Sequence, residues 1–579
     1  MQLQQVWPFT LGMCLLMFTH RYWCNDSILQ YDRSAMGSIT TIVIFSVLIL
    51  FISSKYRKRI EYAILSFWGL LDVIESFMAA HFGMGFAPVI FQILQETNGG
   101  ETSEFVNAFV FSWKTGQIAI SFIAVFFLIS LFYYVNRRFV KDFIILFKFP
   151  LLSFISLMLF SYSLVWQGSR YSNYYALMKL FTADSMKTME YVLCTHDIFI
   201  AYPFMRLLYS VKSLSLMSEE NNLIYQRNRK LEVLSDSEHN KSPLMVLFLG
   251  ESYVKRHSQH YGYELPTSPF TMKEKESDRL FVFNDVVTIR NQTSLVLRSV
   301  FSMGQSGKDL LSEKPLFPAL LRKGGYESSM LSNQFVNTQS VVPNLMGGSF
   351  INDARICSLL FDNKNSVGFS DDVDLLPLFE EIIVQQGRQF VFFNGLGQHV
   401  GFYERSPKDR KIFSKDNYTH RLELSDSERQ IVADYDNATR YVDSIMYQMM
   451  DILREKEAIM VYVSDHGEEV LDETHKLGRK QGLTPDVVRS EYEVPMWIWC
   501  SDTYKKNHPE IISEIRKKLN TPFSIDDLSH VMIGLSGVKT DFYESSRDLL
   551  HPNYRVPKKR GIGFEGLRFT GYYEDIITN

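Results

Sequence analysis

Three short stretches carry the side chains that could do chemistry: Gly250, Glu251 and Ser252; Gly395 to His399; and Ser464, Asp465, His466 and Gly467. Carboxylate, imidazole and hydroxyl donors of this kind suit a zinc-type divalent ion. A hydroxyl bound to such an ion loses its proton more easily and becomes a nucleophile, and the same ion neutralises charge on an attacked phosphoryl group. In-line displacement at phosphorus then needs little beyond positioning. Each stretch alone is a weak signal, since an Asp-His-Gly is more often a loop with a capping aspartate and a lone His399 more often structural. What joins them is that each follows an apolar run. The five cysteines (Cys14, Cys24, Cys194, Cys357 and Cys500) lie far apart without a CxxC pair, which argues against both a dense disulfide scaffold and a cysteine zinc site.

The elements that must hold these residues are legible from the apolar pattern. Leu244–Leu249, Phe390–Phe393, Ala458–Val463 and Val494–Trp499 are continuous apolar runs and read as four buried parallel strands. Helices are expected between them, for example over Asp372–Gln386 and Ser427–Arg454. Strands alternating with helices predict an α/β domain with a mostly parallel central sheet. In such sheets ligands gather at the carboxyl ends of the strands, so Glu251, Ser252, His399, Asp465 and His466 are expected to meet at one edge.

The first 170 or so of the 579 residues are different in kind. Five apolar segments, Val6–Trp23, Gly37–Ser53, Ile60–Met84, Gly116–Val135 and Phe143–Trp166, are each close to the ~20 residues a membrane-spanning helix needs. The first is expected to be a retained helix, because Met1–Gln5 carries no basic residue and no small-residue cleavage site follows. The basic loops Lys55–Arg59 and Asn136–Lys141 place one side in the cytoplasm by the positive-inside rule, which puts everything after the fifth segment outside. Asp72 and Glu75 in the third segment read equally as functional groups or as a bundle-facing pair. Residues 1–167 are therefore expected to form a five-helix transmembrane domain, 168–241 interfacial helices and a linker, and 242–579 the exported catalytic domain. A net charge of −4 gives no nucleic-acid signal.

On these residues the chain resembles the membrane phosphoethanolamine transferases of the alkaline phosphatase and sulfatase superfamily, nearly end to end. The resemblance rests on Gly250-Glu251-Ser252 with Tyr261-Gly262-Tyr263 and Thr267-Ser268-Pro269; on Asn284 to Thr288 with Arg290 and Thr293; on Ser332-Asn333-Gln334; and on Asp374 to Pro377. It continues through Gln398-His399 with Tyr403, Arg405 and Pro407; through Tyr435, Asn437, Tyr441 and Asp443; and through Ser464 to Glu469 and Glu493-Val494-Pro495. The most specific of these is Ser464-Asp465-His466-Gly467-Glu468-Glu469. The serine after Glu251 is similar to the members that modify the lipopolysaccharide core.

The resemblance implies an inner-membrane enzyme with a periplasmic catalytic domain. It would take phosphoethanolamine from phosphatidylethanolamine to a lipid A or lipopolysaccharide-core acceptor through a covalent Ser252 intermediate, with resistance to cationic peptides such as polymyxin as a consequence. It implies zinc held by Glu251, Ser252, Asp465 and His466, with His399 beside the transferred group, Thr293 near the substrate phosphate, and Thr97 and Glu101 near the lipid donor. The chain departs from the family where a Gly-His pair is usual: Gly478 is followed by Arg479, and the nearest imidazole is His475. Either residue could face the substrate there, which leaves a second zinc open; a guanidinium binds phosphate but does not cycle protons. Two other readings compete. A phosphoglycerol transferase would differ only in donor headgroup, and a membrane-anchored binding protein with a decayed site would bind no stoichiometric zinc. Ser252 does not lie in the C/S-x-P-S-R context that a sulfatase nucleophile requires.

Overall fold

The computed structural model describes residues 6–24, 42–43, 45–82, 86, 106–139, 182, 204–232, 242–334, 350–366, 368–369, 371–383, 387–472, 477–479, 482–565 and 568–578. The chain divides into two compact units, 1–216 and 217–579. The fifth apolar segment, the loop holding Thr97 and Glu101, most of the expected bridging region, and His475 lie outside the described residues.

In the first unit, helices run over Trp7–Cys24, Ser54–Phe82 and Trp113–Phe139. Two stretches of them, Lys55–His81 and Trp113–Asn136, are long and apolar enough to cross a membrane. Phe9, Met13, Leu16, Leu65, Ile118, Phe122 and Ile129 form the shared apolar core. Asp72 and Glu75 both face the interior of this helix group: both are buried, and Glu75 meets His20 Nε2 at 3.1 Å and accepts from the Phe86 amide at 3.0 Å. A polar group buried among apolar helices needs such partners, because water is not there to supply them.

The second unit is built on strands β1 (Leu244–Gly250), β2 (Leu280–Phe283), β3 (Val286–Val287), β4 (Glu327–Ser332), β5 (Asn363–Lys364), β6 (Gln389–Asn394), β7 (Ala458–Ser464), β8 (Met496–Cys500), β9 (Phe523–Ser524), β10 (Gly561–Glu565) and β11 (Arg568–Tyr572). Seven of them form one sheet in the order β2-β8-β7-β1-β6-β4-β5. β1 pairs in parallel with β6 and β7, and β4 in parallel with β6. Every residue of β1, β6 and β7 is buried, which is why these strands read as unbroken apolar runs. The fourth expected parallel strand is corrected: β8 runs antiparallel to β7. Burial on both faces makes a strand apolar throughout whichever way it runs, so its composition carries no direction.

The long helix Asp426–Leu453 opens with a capping box, in which the Ser425 hydroxyl accepts from the Glu428 amide and the Ser425 amide donates to the Glu428 carboxylate. Its buried face explains several motif residues as architecture. Asn437 holds the backbone amides of Ile412 and Phe413. Asp443 accepts from the amides of Phe270 and Thr271 at the start of helix Pro269–Glu276, where negative charge favours the orphan donors and the helix dipole. The hairpin β10–β11 with the helix Tyr573–Ile577 packs against Val487, Val488 and Tyr492.

The same long helix carries Asp436 into a buried ionic network. His257 Nδ1 lies 2.5 Å from Asp436 Oδ1 and its Nε2 lies 2.7 Å from Asp472 Oδ2. Burial opposes its charge, but the two carboxylates outweigh that cost and raise its pKa from 6.5 to about 10. The folded value lies above the unfolded one, so this contribution is complete below about pH 6.5 and is lost as pH rises towards 10. Wild type is therefore expected to lose on the order of 5 kcal/mol of this group's stabilisation between pH 6.5 and 10. The check is thermal denaturation against His257→Gln: the Tm gap between them should close as pH rises, and a gap independent of pH would refute the assignment.

Candidate metal centre

The parallel register fixes which residues meet. Gly250 is paired with Ser464, so the chain leaves β1 at Glu251 and leaves β7 at Asp465 side by side. The turn after β1 is tight: Ser252 sits in the left-handed region at φ 55°, a conformation that costs about 1 kcal/mol or more for a non-glycine residue and persists where the surroundings over-determine it. Tyr435 supplies part of that constraint, its hydroxyl donating to the Ser252 carbonyl at 2.6 Å and accepting from the Val254 amide at 2.7 Å. After β7, a Cβ on Gly467 would stand 2.0 Å from the Ser490 carbonyl oxygen, so only glycine lets this loop pass.

Glu251, Asp465 and His466 are fully buried, and one ligand atom from each lies within 4.8 Å of the others. The Ser252 hydroxyl donates to Glu251 Oε1 at 2.7 Å, and the Ser252 amide donates to Asp465 Oδ1 at 3.0 Å. His466 Nδ1 lies 2.8 Å from the Gly467 carbonyl oxygen. A carbonyl only accepts, so Nδ1 carries the proton and Nε2 presents its lone pair. That lone pair faces Asp465 Oδ2 at 3.1 Å and Glu251 Oε1 at 3.6 Å, and Asp465 Oδ2 has no hydrogen-bond donor among the described residues.

Burial and the charge of Glu251 push the Asp465 carboxyl well above its ordinary pKa. Glu251 is held below its own, because His466, His399 and Arg479 outweigh its burial. Burial takes His466 down to about 3 and His399 down to about 4, so both are neutral near pH 7. Oxygen and nitrogen lone pairs thus converge, which is the donor set that a divalent cation satisfies.

Around this cluster lies a half-exposed rim. Thr293 begins helix Thr293–Phe301, and its hydroxyl donates to Glu251 Oε2 at 2.8 Å and lies 3.2 Å from His466 Nε2. No side chain caps that helix start, leaving backbone N–H groups for an anion. Arg479 donates to His466 Nε2 at 2.7 Å and to the Asn291 carbonyl at 3.1 Å, and lies 3.5 Å from Glu468. The His399 turn crosses the back of Glu251, with the Gln398 amide donating to the Glu251 carbonyl at 3.2 Å.

Two further residues belong to the site although chemistry alone did not single them out. Gln334 Nε2 donates to Glu251 Oε2 at 3.0 Å and to the Gly395 carbonyl at 2.7 Å. Asp372 accepts from the amides of Leu396 and Gly397 and so shapes the turn leading to His399. Gln334 was findable, since it follows β4, another parallel strand ending at the same edge. Asp372 carried no signal outside its contacts.

Comparison with known proteins follows this geometry. The family model described as Sulfatase matches residues 243–538. The chain is similar to phosphoethanolamine transferase EptC of Escherichia coli O18:K1:H7, 26% identical over 351 residues, covering 60% of this chain and 59% of that protein. It is similar to phosphoethanolamine transferase CptA of Salmonella typhimurium, 26% identical over 319 residues, covering 54% of each. The match therefore spans somewhat more than half the length of these curated relatives. Among solved structures, the C-terminal periplasmic domain of E. coli EptC in complex with Zn is 25% identical with a TM-score of 0.50, covering 58% of this chain and 94% of that one. The integral membrane lipooligosaccharide phosphoethanolamine transferase A of Neisseria meningitidis shares the fold across 93% of this chain and 98% of its own, with a TM-score of 0.61 at 15% identity.

Proposed function

The chain belongs to the sulfatase family, and from that premise we propose that it is a membrane phosphoethanolamine transferase, taking the headgroup from phosphatidylethanolamine to a lipid A or lipopolysaccharide-core acceptor. The observation that carries the reading is the buried Ser252 hydroxyl, 2.7 Å from Glu251, beside Asp465 and His466. The relatives named for this activity, and the E. coli domain solved with Zn, support it. In this reading residues 1–167 form five membrane helices, 168–241 the bridge, and 242–579 a periplasmic catalytic domain on an inner-membrane anchor. The same reading assigns Thr97 and Glu101 to recognition of the lipid donor.

Zinc held by Glu251, Ser252, Asp465 and His466 would supply Lewis acidity that lowers the pKa of the serine hydroxyl and neutralises charge on a phosphoryl oxygen. The chain's own groups do the rest. Ser252 Oγ attacks the phosphorus, forming the Oγ–P bond as the bond to the diacylglycerol oxygen breaks; the serine proton leaves and the departing oxygen takes one up. An acceptor hydroxyl or phosphate then attacks the same phosphorus, and the Oγ–P bond breaks. The N–H groups at the start of helix Thr293–Phe301 and the Arg479 guanidinium face the anionic oxygens. Neutral His399 takes the proton of an attacking acceptor hydroxyl, and that proton returns to Ser252 Oγ as the Oγ–P bond breaks.

The direct test is turnover of acyl-labelled phosphatidylethanolamine by the purified full chain in detergent, with zinc content measured. Release of labelled diacylglycerol supports the donor half-reaction; no release from zinc-loaded protein would overturn the proposed donor. Arg479→Ala is expected to lower kcat by about 100- to 1,000-fold, as removal of one electrostatic contact to the transition state does, with zinc content unchanged. A kcat within twofold of wild type would remove Arg479 from the mechanism.

A further inference from the structure

Outside the metal cluster, one set of buried charges is built on His257. Both ring nitrogens face carboxylates, at 2.5 Å (Asp436) and 2.7 Å (Asp472). Carboxylates at such distances accept, so both nitrogens carry protons and His257 is an imidazolium. Asp472 also takes Arg421 Nη1 at 2.6 Å, and Asp436 also takes the hydroxyls of Tyr263 and Tyr418. Two cations and two anions balance, which is the condition under which buried charge is tolerated.

The positions of these groups in the chain matter more than their sum. His257 lies five residues beyond Ser252, on the segment whose carbonyl and amide groups Tyr435 holds. Asp436 is the next residue after Tyr435. Asp472 ends the stretch that begins at Asp465. Just before it, Leu471 takes the left-handed conformation at φ 64°, unfavourable for a leucine, and its carbonyl accepts from Arg421 Nη2 at 2.6 Å. Beyond it the loop closes on itself: Val470 bridges Leu477, and the Gly478 amide donates to the Glu469 carbonyl at 3.0 Å. That closure delivers Arg479 to His466 Nε2.

We propose that His257 is a positioning residue that clamps the nucleophile turn to the loop running from Asp465 to Arg479, setting the affinity of the metal centre and the reach of the Arg479 guanidinium. It touches neither substrate nor metal; it acts through Asp472 and the strained Leu471. The proposal rests on the metal reading of Glu251, Asp465 and His466, and its test separates the two.

The experiment measures zinc affinity of the full chain in detergent by chelator competition, for wild type, His257→Gln and Asp472→Asn, at pH 7 and at a temperature where each is folded by circular dichroism. Both variants are expected to bind zinc 10- to 100-fold more weakly, the size of effect that removing a support of a metal ligand produces, and to lower kcat with little change in KM. Equal zinc affinity and kcat per folded molecule, with only a lower Tm, would overturn the proposal and leave the network purely structural. Should His257→Gln not fold, Asp472→Asn decides, because it keeps the His257–Asp436 pair. Wild type that binds no zinc would instead overturn the metal reading itself.

Discussion

Ser252→Ala is expected to abolish transfer while leaving the fold and the other three proposed zinc ligands, Glu251, Asp465 and His466, in place. In the proposed mechanism the Ser252 hydroxyl, 2.7 Å from Glu251 and beside Asp465 and His466, is the nucleophile that forms the bond to phosphorus. The substitution deletes that one atom. The backbone bonds that hold the turn, from the Ser252 amide to Asp465 and from Tyr435 to the Ser252 carbonyl, do not involve the side chain, and alanine at φ 55° is no more strained than serine. Loss of a covalent nucleophile lowers kcat by on the order of 10⁴-fold or more in comparable systems. Diacylglycerol release and mass spectrometry of the peptide containing residue 252 check this together: wild type should carry phosphoethanolamine on Ser252 after donor incubation, and the variant none. Activity of the variant within tenfold of wild type would sink the covalent scheme.

The second large effect is expected for Asp465→Asn. The amide oxygen of asparagine can keep the two backbone bonds that Asp465 Oδ1 accepts, from Ser252 at 3.0 Å and His466 at 2.7 Å. What changes is the other atom: an N–H₂ replaces Oδ2 and points a donor at the His466 lone pair 3.1 Å away. Zinc affinity is expected to fall by at least about 100-fold, since one anionic ligand is lost and its replacement occupies the imidazole. Transfer should fall at least in proportion. Stability should move in the opposite direction without metal. Two buried carboxylates facing each other repel, and neutralising one relieves that, so the metal-free variant should melt above metal-free wild type. Zinc should raise Tm strongly for wild type and hardly at all for the variant. If added zinc raises both equally, Asp465 is not a ligand.

Much of this arrangement was legible before any coordinates. Glu251, Ser252, Asp465 and His466 were marked by two coincidences, their chemistry and their place directly after apolar runs, and the structure brings them together because parallel strands end on the same side. Arg479 was visible as a departure from a familiar pattern. What was not legible has a common cause: it depends on contacts between segments far apart in sequence. The direction of β8 is set by its pairing with β7, not by its residues. The short edge strands β2 and β5 have too few residues for a periodic signal. Gln334 lies in the Ser332-Asn333-Gln334 motif, but its contact with Glu251 at 3.0 Å is made only by the fold. His257 looks like one more surface imidazole in a polar stretch, and only the long helix and the loop after His466 supply the two aspartates that make it a buried cation.

The sheet order also has a consequence in time. β1, which carries Glu251 and Ser252, has its two neighbours in β6 and β7, starting at Gln389 and Ala458. A chain emerging amino terminus first therefore presents its nucleophile long before either flanking strand exists. Such long-range parallel pairing folds slowly, because loop closure must precede any gain in contacts. The half-made domain lacks the Tyr435 contacts that hold the Ser252 turn and lacks Asp465 and His466 beside Glu251. In the proposed mechanism reactivity therefore awaits the arrival of Asp465 and His466, after most of the domain has been made.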